Sequence, residues 1–145
     1  MVEAKLNWID GERFAVSASS GHALVVDSDR QHNTAPGPME LVLMGLCACT
    51  ATDVVSILRK KREPFSHLEV RAEAERAQQP PTVYTSIKLI YTVSGPVSRK
   101  AVEDAVRLSE EKYCSVSAML KSTARITTEI HVSANVSAGQ ELARK

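Results

Sequence analysis

Apolar and polar residues alternate with a period of two at several places along the chain, and each place predicts a strand. Val2, Ala4, Leu6 and Trp8 alternate with Glu3, Lys5 and Asn7, ahead of an Asp10-Gly11 turn signal. Residues 13–18 and 22–26 form two further short runs split by Ser19-Ser20-Gly21, so a three-stranded meander is the simplest reading. Residues 27–37 are polar and include Asn33, Pro36 and Gly37, which predicts a loop. Further on, Leu68, Val70, Ala72 and Ala74 alternate with charged residues, and Ile87, Leu89, Tyr91 and Val93 alternate again after a Pro80-Pro81 connection. These two strands predict an antiparallel hairpin. Ile126, Thr128, Ile130 and Val132 give the last strand, and residues 133–145 read as a flexible tail after a single domain over 1–132.

Two stretches carry helical patterns instead. Residues 38–62 begin with Pro38, which suits a first helical position, and end with Arg59, Lys60, Lys61 and Arg62, which complement the helix dipole. Between residues 41 and 51 the stretch is apolar on every side. A helix without a polar face must be covered all round. At about 37 Å it is as long as the whole domain is wide. One sheet covers one face, so a second copy of the chain is expected to cover the rest, as a homodimer. Residues 98–113 form an amphipathic helix with Ala101, Val102, Ala105, Val106 and Leu108 on one stripe. Residues 115–121 add a further turn or two, for which Ser115 is the expected N-cap. Strands, helix, hairpin, helix and strand in that order predict an α+β fold.

Composition narrows the function. The 145 residues carry 18 Lys plus Arg against 17 Asp plus Glu, a net charge of +1. That balance gives no electrostatic case for nucleic acid or an anionic membrane. The apolar run at 41–51 is about half a membrane span, and the N-terminus lacks the apolar core of a signal peptide, so a cytoplasmic protein is expected.

Candidate chemistry rests on three cysteines. Cys47 and Cys49 lie two residues apart on the long helix and so point to faces about 200° apart, which rules out a shared site. Cys114 lies at a helix start, where the dipole is expected to favour its thiolate. By residue type alone, core packing is the more common role for such residues. No Cys-x-x-Cys or His-x-x-x-His spacing supports a metal centre, and no Gly-x-Ser-x-Gly elbow or phosphate-binding glycine loop occurs. Asp53 follows Cys49 by four positions and shares its helix face.

Two segments shift that balance. Residues 35–50, APGPMELVLMGLCACT, resemble the loop, acidic helix start and reactive Ala-Cys of the OsmC/Ohr family of thiol peroxidases. Residues 108–117, LSEEKYCSVS, resemble the same family's helix ending in a second cysteine. Met39 stands where the family has its first acid, and Ser115 where it has proline. The resemblance implies antiparallel sheets packed on a long buried central helix in an intertwined homodimer. It implies reduction of organic hydroperoxides, with Cys49 attacking the peroxide and Cys114 resolving the sulfenic acid as a disulfide. It implies a cation and an acid beside the reactive thiol, for which Arg13 and Glu40 are the candidates here, with Arg30 a weaker one. An external dithiol, in better-known members a lipoylated protein, restores the thiols, and no metal or organic cofactor takes part. Two alternatives share this scaffold: a non-catalytic dimer whose cleft, lined by Met39 and Met44, binds a small apolar ligand, and a slow thiol redox sensor.

Overall fold

A computed structural model of the chain describes residues 1–134; most of the tail expected at 133–145 lies outside the described residues. By its contacts the chain divides into two compact units, Met1–Met44 and a second beginning at Gly45.

The first unit is the expected meander. Strands β1 (Ala4–Asp10), β2 (Arg13–Ala18) and β3 (Ala23–Asp27) pair antiparallel in that order. Gly11 turns the first hairpin at φ +45°, a backbone conformation that favours glycine. The Trp8 indole donates across this turn to the Gly11 carbonyl at 2.9 Å.

Asp27 organises the loop that follows. Its carboxylate accepts the Thr34 hydroxyl at 2.6 Å, the Thr34 N–H at 3.0 Å and the Asp29 N–H at 2.9 Å, and it meets His32 Nδ1 at 3.1 Å. These bonds, led by the Thr34 hydroxyl, lower its pKa to about 2. A carboxyl held below its unfolded value of 3.8 contributes stability above that value and loses it as pH falls through about 2. Asp27→Asn is therefore expected to lower stability at pH 7. It should also flatten the acid limb of a stability-versus-pH curve between pH 4 and 2, as followed by circular dichroism.

The second unit holds most of helix α1 (Pro38–Lys60), then β4 (His67–Arg76), β5 (Tyr84–Ser94), helix α2 (Arg99–Leu108), a π-helical turn (Ser109–Tyr113), helix α3 (Ser115–Leu120) and β6 (Arg125–Ser133). The β4–β5 pair is antiparallel, as its alternation predicted. Ile87, Leu89, Tyr91 and Val93 are all essentially inaccessible to solvent. Gly95 ends β5 at φ +116°, where a Cβ would come within 2.8 Å of the Ser66 nitrogen.

One expectation fails here. The second sheet is mixed, because β6 runs parallel to β5. The chain leaves β5, crosses through two helices and re-enters the sheet in the same direction, and such a crossover makes a parallel neighbour. The expected helix over 98–113 is also divided. Ser98 caps α2 by accepting from the Ala101 N–H, and Ala101, Val102, Ala105 and Val106 are buried as predicted, but the final turn is π-helical.

Helix α1 matches its predicted start and is apolar on every side over 41–51, yet a single chain fully buries only the stripe Leu46, Thr50, Val54 and Leu58. Its length and composition would also suit a membrane span.

Candidate active site

The site is built where α1 passes the end of the π-helical turn. Within α1, Cys49 and Asp53 stand four residues apart, so their side chains leave the same face one turn from each other. Cys114 arrives from the other end of the second unit. The π-helical turn closes with the Cys114 N–H bonded to the Ser109 carbonyl at 2.8 Å, five residues back. This wider turn sets Ser109 and Cys114 against α1 together, a use of π-helical geometry common at functional sites. The sulfurs of Cys49 and Cys114 and a carboxylate oxygen of Asp53 all lie within 4.8 Å of one another. Both cysteines are free thiols.

Hydrogen bonds orient two of the three groups. The Ser109 hydroxyl donates to Asp53 Oδ2 at 2.8 Å, and Ser109 is fully buried. The Ser117 N–H donates to Cys114 Sγ at 3.3 Å. The residue capping α3 is therefore Cys114, not Ser115, which is already the first helical residue. The capping acceptor is a sulfur.

The expected depression of the Cys114 pKa does not occur. Burial pushes it up to about 11, the Ser117 N–H opposes this, and the adjacent Cys49 and Asp53 add to the rise. The N-terminus of a six-residue helix offsets only part of the desolvation of a buried thiolate.

Cys47 faces the opposite way, as the helical spacing required. It packs against the Ala72 backbone of β4, and burial raises its pKa. Tyr91 lies fully buried near Thr50, which in turn donates to the carbonyls of Leu46 and Cys47.

Next to Asp53, a cavity of about 340 Å³ is lined by that residue and by Ser56, Ile57, Lys60, Lys61, Leu108 and Tyr113. It combines apolar walls with two lysines. Lys61 is engaged by Asp104 at 3.3 Å.

The structure thus brings Cys49 and Cys114 together and adds Asp53 as a direct neighbour of both. Arg13 and Glu40 belong to the first unit: Arg13 opens β2 and pairs with Asp10 at 3.7 Å, and Glu40 lies in the first turn of α1. Arg30 lies in the loop after β3. Sequence reasoning missed Ser109 and the Ser117 N–H. Ser109 sits five residues before Cys114, a spacing that faces away in an α-helix and turns inward only in a π turn.

The sequence matches the family described as OsmC-like protein over residues 31–129. It is 40% identical over 132 residues to Protein YhfA of Escherichia coli (strain K12), covering 90% of this chain and 98% of that protein. A crystal structure of a hypothetical protein from Aquifex aeolicus VF5 superposes with a TM-score of 0.85 at 31% identity, covering 94% of this chain and 98% of the other. The organic hydroperoxide resistance protein OhrB of Bacillus subtilis shares the fold at 13% identity, with a TM-score of 0.66 and coverage of 90% and 97%. The resemblance carried by the two cysteine segments therefore holds over nearly the whole chain, which belongs to the OsmC-like protein family.

Proposed function

We propose that the protein is a thiol-dependent peroxidase that reduces organic hydroperoxides, with hydrogen peroxide as a further substrate, through Cys49 and Cys114. The observation that carries this reading is the approach of the two sulfurs to within 4.8 Å although they lie 65 positions apart in sequence. Two buried or half-buried thiols that merely fill a core need not meet, whereas a redox pair must. Family names among the solved relatives, organic hydroperoxide resistance proteins included, point the same way.

In the first step, the Cys49 thiolate attacks the distal peroxide oxygen. The O–O bond breaks, the alkoxide takes a proton and leaves as the alcohol, and Cys49 becomes a sulfenic acid. In the second step, Cys114 sulfur attacks the Cys49 sulfur, its proton joins the departing hydroxide as water, and a disulfide forms. A dithiol then reduces the disulfide by exchange. A lipoylated protein fits that role, and no metal, haem or flavin is needed for any of these steps. The apolar walls of the cavity beside Asp53 suit the organic part of a hydroperoxide.

Arg13 is our candidate for the cation that favours the Cys49 thiolate, with Glu40 as its partner. Arg13 is half-buried, and its Nε has no hydrogen-bond partner among the described residues, which leaves donor capacity for such a role. The working unit in this reading is a cytoplasmic homodimer. Leu6, Trp8, Ile9, Leu24 and Val25 of the meander and Met44 of α1 are exposed in a single chain, Trp8 by 68%. A surface with that much exposed apolar area marks an interaction site. A second copy is its occupant here, since residues 41–51 of α1 have no polar face to turn to water. Sedimentation equilibrium is expected to give twice the chain mass.

The function is tested by steady-state consumption of cumene hydroperoxide with dihydrolipoamide as reductant. Continuous turnover supports the peroxidase. A single stoichiometric oxidation supports the redox sensor, and no reaction leaves the scaffold as a binding module.

A further inference from the structure

The redox chemistry uses the two sulfurs, but it leaves Asp53 without a part. Three features of its surroundings suit a different ligand. First, Cys49 Sγ, Cys114 Sγ and an Asp53 carboxylate oxygen form a triangle with every edge at or under 4.8 Å. A tetrahedral zinc centre with Zn–S bonds near 2.3 Å and a Zn–O bond near 2.1 Å needs edges of about 3.6–3.8 Å, within reach of rotamer adjustment. Second, Cys49 and Asp53 offer ligands at i and i+4 on one helix, the spacing by which a helix presents two donors to one ion. The third donor comes from a separate element, so the three converge from two sides. Third, two of the donors are themselves held. Ser109 Oγ bonds Asp53 at 2.8 Å from a fully buried position, and the Ser117 N–H bonds Cys114 sulfur at 3.3 Å. Such outer hydrogen bonds orient ligands at metal centres.

We propose that in the reduced state Cys49, Asp53 and Cys114 bind one thiophilic divalent cation, of which zinc is the type, and that its binding withholds Cys49 from peroxide. Two thiolates and one carboxylate are a donor set for zinc, not for magnesium or calcium. The fourth coordination position is left to water, so this is an open site and not a closed structural centre. Binding replaces two S–H protons with two metal–sulfur bonds and releases both protons to solvent, with no change of oxidation state. The disulfide offers no thiolate, so the cation-bound and oxidised states exclude each other. The regulatory part of the proposal rests on the peroxidase reading. The binding part does not.

The test titrates the reduced, metal-free, full-length protein with Co²⁺ as a spectroscopic probe, without peroxide. The expected result is one Co²⁺ per chain, with a near-ultraviolet thiolate charge-transfer band and visible bands of tetrahedral intensity, all lost on adding Zn²⁺. Cys49→Ser and Cys114→Ser should each remove about half of the charge-transfer intensity. Asp53→Ala should weaken binding by about tenfold or more, while both thiols remain titratable and still form a disulfide with diamide, which shows that the fold is intact. Absence of a thiolate band, or Asp53→Ala binding Co²⁺ as the native protein does, overturns the proposal. Metal binding in a protein that consumes no hydroperoxide supports the site and contradicts only the peroxidase reading. Turnover unaffected by one equivalent of bound Zn²⁺ overturns the regulatory part.

Discussion

Cys49→Ser is expected to abolish hydroperoxide reduction, with at least about a thousandfold loss of kcat/KM. A serine hydroxyl is not ionised at neutral pH and does not accept an oxygen atom from a peroxide, so neither the attack nor the sulfenic acid is available to it. The change removes little volume from a half-buried position, so the fold is expected to persist. Cys47→Ser supplies the internal control. It alters a thiol on the same helix, two residues away, that faces Ala72 of β4 and not the site. Turnover close to native in Cys47→Ser and none in Cys49→Ser is the predicted pair. Equal losses in both would indicate that the helix, and not a particular sulfur, is being disturbed.

Cys114→Ser is expected to separate the first chemical step from the second. Cys49 should still be oxidised once by cumene hydroperoxide, giving a sulfenic acid that dimedone traps and intact-mass measurement detects. Multiple turnover with dihydrolipoamide should fall by about a hundredfold or more, because the disulfide that the dithiol exchanges with no longer forms. In the native protein the same step should carry a pH signature. Burial pushes the Cys114 thiol up to about 11, so at pH 7 it is held as the thiol and not the thiolate. If resolution uses that thiolate, disulfide formation should accelerate about a hundredfold between pH 7 and 9, measured by stopped-flow after sulfenic acid has formed. A rate flat across that range would place the Cys114 proton on a neighbouring group before attack.

Much of this arrangement is legible in the residues, and the gaps have physical reasons. Alternation in 68–74 and 87–93 reveals β4 and β5 because a pleated strand has a period of two. The same period is silent about direction. Because Ile90 on the second face of β5 is buried along with Ile87, Leu89, Tyr91 and Val93, either orientation of β6 satisfies the pattern. The parallel pairing is fixed instead by the helical crossover. Cys49 and Asp53 are readable as a pair from their spacing, and the opposite facing of Cys47 follows from the same wheel. Ser109 is not readable, because one extra residue in a π turn rotates it to a face that α-helical spacing denies it. Ser115 as a cap was a reasonable expectation from hydroxyl chemistry. The chain instead places a sulfur there, one residue earlier, and burial then outweighs the helix end in setting its ionisation. The meander's strands were legible, but in a single chain β1 is exposed along its whole length. A strand's alternation tells which side is apolar and not which molecule covers it.

The most direct test is the pairing itself. The reduced protein is treated with one equivalent of cumene hydroperoxide, blocked with an alkylating agent, digested without reductant and mapped by mass spectrometry. One cross-linked species joining the peptide of Cys49 to the peptide of Cys114, with Cys47 alkylated, is expected. Recovery of Cys49 and Cys114 in separate peptides, both alkylated or separately over-oxidised, would contradict it.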